Sequence, residues 1–399
     1  MTATPRTLPP DTAAASPPAS GAARPGKRLG FLPALEGIRG VALFIVLTDH
    51  IGLFIVPRYS PWLVPGGFVA MDIFFTLSGF LITSLLLGEL SRTGTIDFGK
   101  FFKRRAVRLL PALLLVLGAH YLLTLYLGTS LHVENRSDLF ALTFTANYQH
   151  SLGITPPWDL NIIWSLAVEV QFYLVWPFML WAIYRWGRTV RRMAFAMVAL
   201  IVAASITRAV EFQRWGWEAV YYRFEGRIDA FVIGGLLSLF WFHDRLPRRI
   251  IPWLALVGWV VLITVLWTGR FPQHYLYQWG YLGLNLAGGA VIAACLFNDG
   301  IWARILSVRF LRLAGRVSYS FYLVHMQVYF WVITRRPYWP AWQQIVVALS
   351  GAVVLGSICY LVAERPLLGR PPMRKWRKST PADTDPTPSP APTPAPTPS

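Results

Sequence analysis

Hydrophobic residues fall in long runs along this chain, near positions 33–56, 67–90, 107–128, 163–184, 193–210, 228–243, 250–268, 280–297, 316–334 and 342–363. A bilayer core about 30 Å thick is crossed by roughly 20 apolar residues in a helix, so each run spans or nearly spans it. The pattern predicts an all-α polytopic membrane protein with a ten-helix transmembrane bundle. A weaker run, Leu139 to Tyr148, is about half a crossing long.

Charge decides whether that weak run crosses. With it left out and the N-terminus inside, 27 of the 37 Lys and Arg lie in inner loops and tails, nine lie outside, and Arg39 sits within the first run. Making Leu139–Tyr148 a span would move Arg185 to Arg192 and two later basic loops outside. Basic residues gather in the loops left in the cytoplasm. The expected arrangement is therefore ten spans in the inner (plasma) membrane with both termini cytoplasmic and residues 129–162 as an outer loop.

Composition narrows the class further. The 399 residues are 55% hydrophobic and only 14% charged, against roughly 25% charged in soluble domains. An all-soluble enzyme, a disordered scaffold and a disulfide-stapled secreted domain are excluded. The net charge of +18 follows from the inner basic loops, so a nucleic-acid partner is not required; the partner expected from the pattern is the lipid bilayer. Cys295 and Cys359 both lie in apolar runs, which argues against a disulfide framework or a cysteine metal site. Residues 1–30, rich in Pro, Ala and Ser with no apolar core, read as a disordered cytoplasmic tail and not as a cleavable signal peptide. Residues 371–399, basic and then Pro/Thr-rich, read as a second disordered tail, which leaves 31–370 as one membrane domain. No fixed-period repeat supports an inverted-repeat transporter.

Ionisable and polar residues inside spans are costly and mark functional sites by default. The first span holds Arg39, Asp49 and His50. The eleven steps from Arg39 to His50 turn about 1100° and rise about 16 Å, so the two share one face at different depths. Arg39 lies near the inner leaflet, where an anionic group entering from the cytoplasm would meet it. Further intramembrane polar groups are Asp72 and Ser78 in the second span, Glu169 and Gln171 in the fourth, and His325 in the ninth. Arg227 and Asp229 open the sixth, and Glu364 and Arg365 close the tenth. Each alone could be a polar tie between helices; the set together is harder to explain that way.

These residues spell a pattern. Leu35–Gly40 (LEGIRG) followed by a histidine eleven positions after Arg39 resembles the Arg-x10-His signature of the acyltransferase-3 family of integral-membrane O-acyltransferases. Gly67–Leu87, Phe101–Ala112, Trp164–Pro177, Gly226–Leu237 and Leu313–His325 resemble further motifs of that family in family order, and Glu364–Pro366 ends the last span as the family does. Asp49 stands where a second histidine is common, and Val170 replaces a frequent second glutamate. Some members carry an extracytoplasmic hydrolase-like domain after the last helix, which is not expected here.

The resemblance implies transfer of an acyl group, commonly acetyl, from cytoplasmic acyl-coenzyme A to a hydroxyl of a cell-envelope saccharide, a glycolipid or a small secondary metabolite such as a macrolide. A hydroxyl attacking a thioester needs a base, and histidine suits that task near neutrality. His50 takes that role. Its second ring nitrogen needs a partner, as in a Ser-His-Asp triad, for which Asp72 and Glu169 are the candidates. Arg104, Arg105 and Arg108 at the inner mouth of the third span offer guanidinium forks to the phosphates, with Arg39 deeper in. Ser78, beside Gly79, either lets the cofactor thread past or serves close helix packing, and His325 is either a second tunnel residue or a helix tie. Arg227 and Asp229 are expected to pair near the outer surface by the acceptor, and Trp158 and Trp164 to belong to the interfacial aromatic belt. No metal site is expected. A transporter or flippase for a lipid-linked or sugar substrate, and a membrane scaffold, are the readings from other classes.

Overall fold

The computed structural model describes residues 29–56, 64–127, 131–297 and 300–367. The two tails expected to be disordered lie outside these, apart from residues 29 and 30. The described residues form helices and turns with no strand. The helices are α1 (Pro33–His50), α2 (Val69–Thr93), α3 (Phe98–Leu127), α4 (Leu131–Leu142), α5 (Ile163–Gly187), α6 (Val190–Tyr222), α7 (Ile228–Phe242), α8 (Ile251–Thr268), α9 (Tyr281–Cys295), α10 (Ile301–Leu306), α11 (Arg309–Arg335) and α12 (Ala341–Cys359).

Each of the ten apolar runs lies on a helix. Among the described residues, seven helical segments are long and apolar enough to cross a bilayer, those of α1, α2, α3, α5, α6, α8 and α12. The chain is therefore a multi-pass membrane protein. The other three runs fall on α7 and α9, with 15 residues each, and on α11, whose 27 residues include Arg309, Arg312, Arg316 and Arg335. The segment expected as an outer loop is partly helical. It contains α4 and two 3-10 turns, Ala146–Tyr148 and His150–Leu152, and packs against α3 and α5. Phe144, with φ of 54°, ends the helical path in the middle of the weak apolar run.

Lipid does not drive apolar side chains inward, so the bundle sorts its helices by what they must bury. α2 is an inner helix, with 83% of its apolar stretch buried, against 22% in α8 and in α12. α8 and α12 turn Val257, Val260, Val353 and Val354 outward. The most extensive contacts are α2 with α7 and α1 with α11, and both depend on glycine. A Cβ on Gly79 would overlap the Phe231 carbonyl, and one on Gly234 the Thr76 carbonyl. A Cβ on Gly315 would overlap the Glu36 carbonyl, and one on Gly40 the Leu311 carbonyl. Such close backbone approach is how small residues tie membrane helices together. The α1–α11 contact sets the depth at which His50 meets His325.

Gly315→Ala is expected to lower the thermal midpoint of the detergent-purified protein, because overpacking costs about 1–3 kcal/mol. Gly283→Ala on α9, where the added methyl meets nothing within 4 Å, leaves the midpoint unchanged or raises it. Equal midpoints for the two variants would contradict the close-packing account.

Candidate active site

His50 stands at the C-terminal end of α1, where the helix widens into a π-turn over Ile51–Ile55. Its Nδ1 lies 2.7 Å from Nε2 of His325 on α11, and the two rings are parallel within 5°. The proton positions follow from what surrounds His325. Its Nδ1 is 2.7 Å from the Tyr322 carbonyl and 3.2 Å from the Phe321 carbonyl. Carbonyls only accept, so that nitrogen carries the hydrogen. In the neutral pair, Nε2 of His325 is then an acceptor, Nδ1–H of His50 donates to it, and Nε2 of His50 is left bare. The backbone of α11 thus selects, through one intervening imidazole, the tautomer in which His50 presents a free basic nitrogen.

The partner of His50 is therefore His325. Asp72 and Glu169, the carboxylates expected from the sequence to hold the second nitrogen, are engaged elsewhere. Asp72, buried on α2, accepts from Arg227 Nη1 at 3.1 and 3.3 Å. Glu169 on α5 accepts from Ser78 at 2.5 Å and from the Tyr173 hydroxyl one turn along its own helix.

Two cavities flank this arrangement. The first, about 680 Å³, is lined by Arg39, Ser78, Arg108, Glu169, Tyr173 and Tyr319, among others. Of the three arginines expected at the mouth of α3, only Arg108 reaches it. Arg105 lies over the rings of Phe101 and Tyr173, and Arg104 is exposed. The second cavity, about 690 Å³, contains His50 with Asp49, and is walled by Phe54, Trp158, Trp164, Trp217 and Tyr222. Trp158 and Trp164, expected in the aromatic belt, both line the histidine chamber, and Trp158 is also half exposed.

Met71 and Tyr322 line both cavities. Tyr322 hydroxyl donates to the Ile162 carbonyl at 2.9 Å, lies 2.6 Å from Ser165 Oγ, and touches Met71 Sδ at 3.7 Å. Together they form a partition between a cationic chamber and an aromatic one.

Arg227 and Asp229 do not pair with each other, and they line neither of the two cavities. Asp229 accepts from Arg208 at 2.7 Å, and Arg227 binds Asp72. All four side chains are at least 98% buried. Successive residues on a helix point about 100° apart per step, so positions 227 and 229 address different neighbours. The Arg227 guanidinium lies 4.4 Å from the Tyr221 ring and 4.1 Å from the Tyr281 ring, and Nε donates to the Tyr221 carbonyl. Sequence reasoning does not single out Arg208, although its charge within the apolar run 193–210 is the available signal.

The segment between α3 and α5, which lines the histidine chamber with Trp158, Asn161 and Ile162, is anchored by groups that the sequence did not single out. His120 of α3 lies 2.7 Å from Asp159, both buried, next to Trp158. Tyr148 hydroxyl donates to Glu225 at 3.2 Å. Burial and then the Glu225 carboxylate push the Tyr148 phenol up to about 12, so this clasp keeps its proton throughout the neutral range.

Residues 32–363 match the family model described as an acyltransferase domain. The O-acetyltransferase OatA of Staphylococcus aureus is 27% identical over 315 residues, covering 75% of this chain and 50% of the relative. The peptidoglycan O-acetyltransferase OatA of Listeria monocytogenes is 27% identical over 316 residues, 75% of this chain and 49% of the relative. The chain thus spans about half the length of these curated relatives. No solved structure matches it.

Asp72→Ala leaves Arg227 buried without its carboxylate, and is expected to cost roughly 3–5 kcal/mol of stability, as breaking a buried ion pair does. Adding Arg227→Met should recover most of that loss. Unfolding of the single and double variants in detergent measures both. A double variant as unstable as the single would contradict the pairing.

Proposed function

Because this chain belongs to the acyltransferase domain family, that of the acyltransferase-3 type, we propose that it transfers an acetyl group from cytoplasmic acetyl-coenzyme A to a hydroxyl of a cell-envelope saccharide, with His50 as general base. The observation that carries this reading is the tautomer imposed on His50, which leaves its Nε2 unprotonated at a residue lining a chamber walled by aromatic rings. The activity for which the two relatives are named, O-acetyl transfer, and for one of them transfer to peptidoglycan, supports the choice of group and acceptor.

In the reaction the acceptor hydroxyl donates to Nε2 of His50, and its oxygen forms a bond to the thioester carbonyl carbon. The C–S bond breaks as the tetrahedral intermediate collapses. The proton held on His50 passes to the departing sulfur, which leaves as coenzyme A thiol. The positive charge that His50 carries between these events is shared with His325, whose Nε2 accepts from it, and so with the α11 carbonyls behind. Arg39 and Arg108, on the other side of the partition, supply guanidinium groups to the phosphates of the donor. Rings such as Trp158 and Trp164 offer apolar faces against which a sugar can pack.

This direction of transfer requires the Arg39 chamber to open toward the cytoplasm. The ten-span arrangement with both termini inside, in the plasma membrane, provides it. A cysteine at Thr95→Cys, in the turn between α2 and α3, should then be labelled by an impermeant maleimide only after permeabilisation of cells, whereas Gly153→Cys should be labelled in intact ones. The reverse result would invert the topology and remove the cytoplasmic donor.

The decisive assay supplies acetyl-labelled coenzyme A thioester to membranes with and without the protein and identifies by mass spectrometry the lipid or glycan that gains label. His50→Ala is expected to lower transfer by at least the 10²–10⁴-fold attributable to general base catalysis, with normal membrane insertion. His325→Phe should also lower it, by losing the tautomer while keeping a ring. Retained turnover in His50→Ala would defeat the mechanism. Substrate movement with no covalent label would point instead to a transporter.

A further inference from the structure

The partition between the two cavities is built from one fixed side and one deformable side. Tyr322 is fixed at both ends: its carbonyl accepts from His325 and its hydroxyl is held by the Ile162 carbonyl and Ser165. Met71, opposite it on α2, is buried and unbranched, and the polar contact of its sulfur is with that hydroxyl at 3.7 Å. Thioether side chains fill gaps of irregular shape and re-pack readily. His50 lies on one side of the pair and Arg39, Arg108 and Glu169 on the other.

We infer that Met71, packed against Tyr322, sets the size of the acyl group that this protein transfers and restricts it to short chains. The inference rests on the reading that the thioester arrives from the Arg39 side and that His50 serves the acceptor. Under it the carbonyl carbon must sit at the partition, within reach of a hydroxyl bound to His50, while the sulfur remains on the Arg39 side. The acyl tail then has two places to lie. One is the acceptor's chamber, where it competes with the acceptor; the other is the space beside Met71. A single methyl fits there with little displacement, whereas each further methylene pushes against the thioether and, through it, against a tyrosine that cannot retreat. An apolar site discriminates one methylene by roughly 10- to 200-fold, so several methylenes need not be excluded by any additional device.

The test feeds acetyl- and hexanoyl-coenzyme A, each labelled in the acyl group, to membranes containing the full chain and compares the label found in product. Wild type should prefer acetyl by more than tenfold. Met71→Ala should raise the hexanoyl-to-acetyl ratio at least tenfold while acetyl transfer persists. Leu86→Ala, a truncation at a fully buried position of the same helix that lines neither cavity, should leave the ratio unchanged. Met71→Val carries the same expectation at smaller amplitude and serves if the alanine variant is not inserted. An unchanged ratio with transfer intact, or a wild type that uses both donors equally, overturns the size filter and leaves the transferase reading standing. No label from either donor in wild type overturns the transferase reading itself.

Discussion

The hydrogen bond from His50 to His325 is the interaction on which the rest of the site depends. An imidazole in a lipid-embedded bundle has no bulk water to choose its tautomer, so a protein group must do so. Here the choice begins at the Tyr322 carbonyl, an acceptor by necessity, and passes through His325 to His50. A carboxylate in the same position would stabilise an imidazolium more strongly, but would bring a net charge that is expensive to bury in lipid. Two neutral rings reach the same tautomer with no net charge. The cost is weaker stabilisation of the charged base, partly offset by the two carbonyls facing His325.

That arrangement needs α1 and α11 at a fixed depth and separation, and their contact is made by backbone against backbone at Gly40 and Gly315. Four other charges of the bundle contribute to shape more than to chemistry. Asp72, Arg208, Arg227 and Asp229 form two ion pairs that join α2, α6 and α7, and because they cancel, the interior carries little net charge there. Arg227 also holds the Tyr221 carbonyl, and Tyr221 lines the histidine chamber. An ion pair made for helix packing thereby places a ring on the wall of the site.

Much of this was legible in the sequence because hydrophobic length is read directly: all ten apolar runs fall on helices. The face shared by Arg39 and His50 was likewise legible, since helical pitch alone fixes it. Partners across helices were not, because spacing along one helix says nothing about the rotation of its neighbour. Thus Asp72 could be recognised as anomalous in a span, while its bond to Arg227 could not, and the pairing expected between Arg227 and Asp229 was resolved onto two different neighbours. Tyr322 and Met71 carry no charge and stand out from no apolar run, so nothing in the sequence marks them as the residues common to both cavities. The same limit applies to Trp158 and Trp164, whose interfacial position is evident but whose direction is not.

The two chambers differ in a way that gives the site a direction. One is cationic, with Arg39 and Arg108, and suits a phosphorylated donor; the other is aromatic and, apart from Asp49, has no acidic wall residue, which suits a neutral polyol. A group moved between them by a carrier that crossed the membrane would need both chambers to open in turn and the charged interior to rearrange. Transfer at a partition needs neither. In the proposed reaction only the acyl group passes, a few atoms wide, while donor and acceptor stay on their own sides. The helices can then remain packed backbone to backbone, as the glycine contacts demand, and the ion pairs of α2, α6 and α7 need never be broken during turnover. For the proposed chemistry, a packed bundle with two cavities meeting at Met71 and Tyr322 beside His50 is the arrangement that the cost of buried polar groups in lipid favours.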